Sequence, residues 1–171
     1  MKRPGENDYD PYYKRYISMI SDSENIIENL RKQKDDSYKF LKSIPGEKAG
    51  FAYAPGKWTI KEVLGHIIDT EKVMAYRALC IARGEKKALP GFEQDDYVKE
   101  GKFNKRELSE LIEEFKKVRE VNLLLFNNFE DDILDKRGNA NNVEITVLAL
   151  LFIIAGHELH HMKILKDKYL K

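Results

Sequence analysis

Four long segments with helical periodicity dominate this sequence and restrict what it can fold into. Within each segment, apolar residues recur at spacings of three and four, which is the signature of an amphipathic helix. The segments run from about Asp22 to Ser43, Trp58 to Gly84, Asn104 to Leu125 and Val143 to Tyr169. No strand-period alternation and no internal repeat is apparent between them. The sequence therefore predicts an all-α fold, most simply a four-helix bundle.

The ends of these segments carry the expected stop and start signals. Pro45 and Gly46 end the first helix, because proline cannot continue the hydrogen-bond ladder. Thr59 and Glu62 have the spacing of a capping box at the start of the second helix. Asn104 to Glu107 resembles a capping box at the start of the third.

The connections near 44–58, 84–104 and 129–142 are longer than tight helix–helix turns, so loop length alone does not fix the topology. The first twenty residues contain several tyrosines and are expected to form an arm or a short helix over the bundle. These are Tyr9, Tyr12, Tyr13 and Tyr16. No linker rich in proline or glycine separates a second domain, so residues 1–171 are predicted to form a single domain.

Composition excludes several classes of protein. Lys and Arg number 30 against 29 Asp and Glu, and this balance argues against nucleic acid as a partner. The single cysteine, Cys80, rules out an internal disulfide and a multi-cysteine zinc site, as expected in a reducing cytoplasm. The longest apolar run, Val147–Ala155, is far shorter than the roughly 20 residues of a membrane span. A cytoplasmic protein without a membrane partner is therefore expected.

Three of the four histidines cluster near the end of the chain. His157 and His161 are four residues apart, so on a helix they share one face, and that face continues an apolar stripe. His160 lies about 60° away on the helical wheel. Buried imidazoles need partners, which a metal, a carboxylate or a polar cavity would each supply.

The same residues satisfy the His-Glu-x-x-His pattern of zinc proteases, in which Glu158 would be the general base. The extended motif requires a glycine and a third histidine downstream, but Ile164 and Asp167 occupy those places. No predicted strand is present to bind a peptide. The protease interpretation is therefore rejected.

His66 is the natural third ligand, and helix geometry tests the idea. It lies about 10 Å from the start of the second helix, whereas His157 and His161 lie about 24 Å from the start of the fourth and about 14 Å from its end. Antiparallel second and fourth helices would bring the three imidazoles to one height. A simple up-down-up-down bundle makes these helices parallel, so a shared metal requires a long crossover, for which 84–104 is long enough.

Three imidazoles would leave a divalent transition metal with an open position, and ligand type alone does not separate Zn, Ni, Fe and Mn. Asp69 is a candidate to orient an imidazole or contact a metal-bound water, and Glu158 is a second catalytic candidate. Arg77 is a candidate clamp for an anionic substrate. Each of these residues also has an ordinary structural interpretation, as core histidines, solvated acids or an ion-paired arginine.

Three stretches together resemble the DinB/YfiT-like family. They are Lys57–Asp69, the Tyr76-Arg77 pair leading to Leu89–Phe92, and Gly156–His161, and the resemblance spans about residues 20–170. It implies a four-helix bundle of up-down-down-up topology, with the long crossover between helices two and three. It also implies a metal held by His66, His157 and His161, often in a homodimer.

The resemblance implies a metal-dependent enzyme, with Zn or Ni favoured and Fe or Mn possible. Some members of the family transfer a low-molecular-weight thiol such as bacillithiol, mycothiol or glutathione to an electrophile, and others isomerise maleylpyruvate with a thiol cofactor. A thiol transferase acting on a small molecule is therefore the first expectation. A hydrolase that uses metal-bound water, with Asp69 or Glu158 as base, and a non-catalytic metal-binding module of the stress response are the alternatives.

Overall fold

The computed structural model describes residues 2–21 and 25–171, and most of these residues are helical. The long helices are α2 (Ile26–Lys42), α3 (Ile60–Ala82), α5 (Leu108–Phe126) and α7 (Val147–Ile164). The shorter ones are α1 (Lys14–Ile17), α4 (Gln94–Gly101) and α6 (Asp131–Leu134). A π-helical turn, Leu165–Tyr169, continues α7, and 3-10 turns occupy Glu6–Asp8, Pro11–Tyr13, Gly46–Lys48 and Phe103–Lys105. The prediction of a mainly helical chain is confirmed.

Side-chain caps define where the long helices begin. The Asn25 side chain accepts a hydrogen bond from the backbone N–H of Ile27, at 2.8 Å. The predicted start of this helix, near Asp22, lies outside the described residues. The predicted capping box of α3 is confirmed, because Thr59 and Glu62 each accept a hydrogen bond from the other's backbone N–H, at 3.2 and 2.8 Å.

The predicted start of the third helix at Asn104 is wrong. Residues Phe103–Lys105 form a 3-10 turn, and α5 begins only at Leu108. The Asn104 side chain is hydrogen-bonded instead to the cap of α3, through Thr59 Oγ1 at 2.8 Å and Glu62 Oε1 at 3.0 Å. The polar residues that resemble a helix start therefore join the connection to α3.

A short β-hairpin precedes α7, and it corrects the expectation that the chain contains no strand. Strands β1 (Arg137–Ala140) and β2 (Val143–Thr146) pair antiparallel, with Ala140 opposite Val143. Asn141 and Asn142 form the two-residue turn with φ of 56° and 62°, a left-handed conformation that asparagine tolerates well. The fourth helix consequently begins at Val147 rather than at Val143.

The hairpin is also joined to the long connection that follows α3. Leu89 N–H donates to Asn139 O and Asn141 N–H donates to Leu89 O, both at 2.9 Å. These two hydrogen bonds hold the connection against the end of the bundle where β1 and β2 lie. The connection also contains a helix of its own, α4.

Helix α7 is the central element of the core. It packs against α1, α2 and α3, while α5 packs against α2 and α3. Every residue from Val147 to Glu158 is buried. The segment Val147–Tyr169 is long and apolar enough to cross a membrane by length and composition, but 72% of its most apolar window is buried inside the protein. Its apolar character therefore matches its position in the core.

A buried ion network connects the four long helices. Arg119 of α5 is fully buried and donates to both carboxylate oxygens of Glu71 on α3, at 2.7 and 2.9 Å. It also donates to Glu158 of α7 at 2.6 Å and to the carbonyl of Leu30 on α2 at 3.1 Å. One guanidinium thus fixes the relative positions of α2, α3, α5 and α7.

The N-terminal arm lies on α7, and a glycine allows the close approach. A Cβ atom at Gly156 would lie 2.1 Å from the backbone oxygen of Tyr16, so a larger residue would push the arm away. The Arg3 guanidinium donates to the carbonyls of Ile17 and Ile20, at 2.7 and 2.8 Å, and holds the arm's end. Tyr16 is consequently placed beside residue 157.

Replacing Arg119 with methionine is expected to destabilise the protein by about 3–5 kcal/mol, because two buried carboxylates would lose their cation. Urea denaturation followed by circular dichroism measures this loss. Arg31→Met is the matched control, since Arg31 lies on the exposed surface of α2, with a weak ion pair to Glu28 at 3.6 Å and a hydrogen bond to Asn127 Oδ1 at 3.2 Å. Its effect is expected within about 0.5 kcal/mol. Equal effects of the two substitutions would show that the buried network does not hold the helices.

Candidate metal centre and adjoining cavity

Two helices bring three histidines together. His66 lies near the start of α3, whereas His157 and His161 lie in the last two turns of α7. The Nε2 atom of His157 is 2.9 Å from that of His66 and 3.1 Å from that of His161. Among the described residues, these three form the one group whose potential ligand atoms all lie within 4.8 Å of one another.

Hydrogen bonding among the three rings cannot satisfy all of them. His157 Nε2 faces both other Nε2 atoms, and a neutral imidazole nitrogen carries either one hydrogen or one lone pair. Nitrogens that bind one metal at about 2.0–2.1 Å lie roughly 3 Å apart, and His157 Nε2 has this separation from each of the other two Nε2 atoms. The donor set therefore fits a divalent transition metal.

The surroundings favour neutral imidazoles. Burial lowers the pKa of His66 to about 4. Burial, together with the charge that His66 would carry, lowers the pKa of His161 to about 3. Burial also lowers the pKa of His157 well below its ordinary value, and the nearby His161 and His66 act in the same direction. Lone pairs are consequently available to a cation at neutral pH.

Aromatic rings flank the histidines. The Trp58 ring centroid is 4.8 Å from that of His66, and Tyr16 packs edge-to-face on His157 at 5.3 Å. Burial raises the pKa of Tyr16 to about 12, so its phenol stays protonated at neutral pH. His160 packs against Tyr16 at 5.4 Å and is not part of the three-histidine group.

A cavity of about 390 Å³ opens beside His66 and His157, within the size range of small-molecule sites. Its buried lining comes from α1, α3, β1 and α7, with the aromatic residues of the arm and of the 84–93 connection completing the wall. The lining includes Tyr13, Tyr16, Thr70, Met74, Phe92 and Ile153. Exposed polar residues, Glu93, Gln94 and Asn141, line its solvent-facing side.

Comparison with known proteins agrees with this arrangement. The family model of the DinB superfamily matches residues 29–165, which is most of the chain. This chain belongs to the DinB superfamily. The matched range contains all three histidines, and it leaves out the tyrosine-rich arm.

Two solved structures resemble this DinB superfamily member. YfiT from Bacillus subtilis, described as a probable metal-dependent hydrolase with an unusual four-helix bundle topology, superposes with a TM-score of 0.72. It shares 14% identity, over 97% of this chain and 90% of that one. A mycothiol-dependent maleylpyruvate isomerase superposes with a TM-score of 0.67 and 9% identity, over 81% of this chain and 58% of that one. No curated protein sequence matches. At these identities the likeness establishes the fold, a four-helix bundle.

Glu158, predicted as a candidate base, lies in the buried ion network, and its catalytic role stays a prediction. Its carboxylate is 1% exposed and lies 2.6 Å from the Arg119 guanidinium. Glu158 is not among the described residues that line the cavity. It follows His157 directly on α7, and successive side chains on a helix point in different directions. The carboxylate is therefore part of the buried ion network of this DinB fold.

Asp69 and Arg77 also lie outside the described lining of the cavity. Asp69 faces Lys72, at 3.8 Å, and burial raises the pKa of its carboxyl group. Its predicted role toward an imidazole stays a prediction. Arg77 is buried, donates to the carbonyl of Pro90 at 2.6 Å and lies 5.9 Å from the centroid of the Phe92 ring. It thus supports a wall of the cavity, and direct contact with a substrate stays a prediction.

Sequence reasoning missed Thr70 and the contribution of the hairpin. Thr70 lies one turn after His66 on α3, so the i, i+4 spacing of two polar residues on an apolar face was an available signal. Ala140 and Val143 line the cavity from the two strands, a consequence of the missed Asn141-Asn142 turn. The tyrosines of the arm are evident in the sequence, but their approach to the histidines depends on tertiary packing.

The buried histidines predict a pH dependence for this DinB superfamily protein in its metal-free form. The pKa of His66 is 6.5 in the unfolded chain and about 4 in the folded one, so the unfolded state binds the extra proton between these values. Stability is therefore complete above about pH 6.5 and falls as the pH decreases towards 4, by about 1.4 kcal/mol per pH unit for each such histidine.

Urea denaturation in EDTA, at half-unit steps from pH 7 to pH 4, measures this slope. The variant His66→Ala is expected to give a shallower slope than the wild type, and the comparison cancels the contribution of carboxylates that also titrate. Identical slopes would contradict the inference that His66 is held neutral by burial.

Proposed function

We propose that this protein is a metal-dependent enzyme that transfers a low-molecular-weight thiol to an electrophilic small molecule. The observation that carries the proposal is the convergence of His66, His157 and His161 beside a cavity large enough for a ligand. Three protein ligands leave a coordination position free, as catalytic sites require. Membership in the DinB superfamily and likeness to a mycothiol-dependent enzyme support a low-molecular-weight thiol as one of the two substrates.

The donor set narrows the choice of cofactor. Three neutral imidazoles suit borderline transition metals, and the family resemblance, rather than ligand type, favours Zn or Ni over Fe or Mn. Oxygen-seeking ions such as Mg²⁺ and Ca²⁺ fit poorly, since no carboxylate belongs to the described three-residue group. A divalent ion held there would lower the pKa of a thiol in its free position, and thiolate would form at neutral pH.

The protein's own residues would orient the reactants and limit water. The thiol sulfur forms a bond to an electrophilic carbon, the leaving group departs with its bonding electrons, and the thiol proton passes to solvent. The chain supplies no cysteine nucleophile, because Cys80 lies fourteen residues beyond His66, about 21 Å along α3. Buried Met74 and Ile153 exclude water from one side of the cavity.

A metal-dependent hydrolase is the second candidate, and the described function of YfiT favours it. Such an enzyme needs a base for the attacking water. The two acids predicted for that task, Asp69 and Glu158, face Lys72 and Arg119 instead of lining the cavity. Two other carboxylates, Asp10 and Glu93, do line the cavity, so thiol transfer ranks first on the likeness to a mycothiol-dependent enzyme. A non-catalytic metal-binding module of the stress response is the third candidate.

Several finer features belong to the same proposal. The up-down-down-up order is supported by the meeting of His66, near the start of α3, with His157 and His161, near the end of α7, as antiparallel helices would produce. We also propose that the protein is a homodimer, that it is located in the cytoplasm, and that it has no nucleic-acid or membrane partner. The size of the cavity supports a small-molecule substrate.

Purified without chelators, the protein is expected to retain about one divalent metal ion per chain. His66→Ala and His161→Ala should lose most of it, because each removes one of three ligands. His160→Ala is the matched control and should retain the metal, since His160 stands outside the group. Elemental analysis measures the metal. Equal metal content in all four proteins would refute the three-histidine site.

Thiol transfer is tested with monobromobimane and, in turn, bacillithiol, mycothiol and glutathione. Sulfur replaces bromide in this reaction, and the fluorescent adduct reports the rate. The metal-loaded protein is expected to exceed both the metal-free protein and His66→Ala with at least one thiol. Cleavage of an ester or amide without any thiol adduct would reverse the order of the two enzymatic candidates.

A further inference from the structure

The cavity beside the histidines contains a buried hydroxyl group that the fold does not use. Thr70 is 4% exposed, and its Oγ1 has no hydrogen-bond partner among the described residues. Burying an unpaired hydroxyl normally costs free energy, so proteins rarely leave one. Thr70 lies one turn from His66 on α3, and both residues line the cavity. The hydroxyl is thus available to a ligand bound there.

The rest of the buried lining is apolar or aromatic. Met74 continues the stripe of Thr70 one turn further along α3, and Ile153 faces the cavity from α7. Phe92, on the connection held by Arg77, and Tyr13, on the arm, add aromatic rings. The cavity therefore has a polar end formed by the histidines and Thr70, and an apolar body.

We propose that Thr70 is a ligand-binding residue of this site, and that the cavity takes a small aromatic molecule with a polar head group. The head group lies at the histidines and forms a hydrogen bond with Thr70 Oγ1, which can donate or accept. The aromatic body packs against Met74, Phe92 and Tyr13. This inference rests on the proposed function, because the histidines are taken to hold the metal that receives the head group.

Two hydroxamates test the proposal, because both carry the same metal-binding head and only one has an aromatic body. The wild-type protein is first shown by elemental analysis to hold zinc, and excess metal is removed. Calorimetric titration then measures the affinity for benzohydroxamate and acetohydroxamate. Benzohydroxamate is expected to bind about 10- to 100-fold more tightly, from burial of its ring. Equal affinities would overturn the aromatic part of the proposal.

Thr70→Val and Thr70→Ser separate the hydroxyl from the shape of the side chain. Valine keeps the volume and removes the hydroxyl, so its affinity for benzohydroxamate is expected to fall about 2- to 12-fold. Serine keeps the hydroxyl and should stay within about twofold of the wild type. The zinc content of both variants is expected to equal that of the wild type.

Thermal unfolding of the metal-free variants distinguishes a ligand-binding role from a structural one. Because the hydroxyl is unpaired, Thr70→Val is expected to melt at or above the temperature of the wild type. Lower melting of Thr70→Val than of Thr70→Ser, or unchanged hydroxamate affinity in Thr70→Val, would overturn the role of Thr70. Failure of the wild type to hold any divalent transition metal would overturn the proposed function instead, and it is observed before any hydroxamate is added.

Discussion

The buried guanidinium of Arg119 is the contact on which the arrangement of the four long helices depends. An arginine without solvent is tolerable only when its donors are paired, and here they reach Glu71, Glu158 and the Leu30 carbonyl. The charges of the two glutamates raise the pKa of Arg119 against the opposing effect of burial, so the side chain stays charged. Apolar packing tolerates small shifts of one helix along another, whereas these directional bonds fix the register.

The position of α3 along α7 also determines where the histidines meet. Glu158 follows His157 in α7, and Glu71 lies five residues after His66 in α3. Since both carboxylates are bound to one guanidinium, neither α3 nor α7 can slide without breaking a charged hydrogen bond. The ion network and the three-histidine group are thus two consequences of the same pairing of helices. The charge of the guanidinium in the first group is balanced by two carboxylates of the protein, and the second group has donor atoms to spare for a cation.

Much of this architecture could be predicted from sequence, because the relevant signals are local. Helical periodicity and the Thr59–Glu62 box located α3, and spacing alone placed His157 and His161 on one face. The heights of the residues along the helices then indicated His66 as the third ligand, and the resemblance to a family implied the same residue. The predictions failed where one pattern has two outcomes: Asn104 resembles a helix cap but bonds to another helix's cap, and Asn141-Asn142 resembles an irregular loop but forms a hairpin turn.

Roles that depend on the direction of a side chain were also beyond the sequence. In sequence, a glutamate next to a histidine of a His-Glu-x-x-His pattern is typical of a catalytic base. Only tertiary packing shows that the Glu158 side chain points toward Arg119. Thr70 is an ordinary helix residue in sequence. Thr70 becomes a candidate for ligand binding only because it lines a cavity whose walls come from segments far apart along the chain.

The close approach of Tyr16 to α7 across Gly156 has a wider consequence. The arm that carries Tyr13 and Tyr16 precedes residues 29–165, the part that matches the DinB superfamily, yet it covers one side of the cavity. Part of the cavity wall and the three histidines therefore lie on separate pieces of chain. Exchange of the arm for another would change the shape of the cavity while leaving the histidine nitrogens untouched.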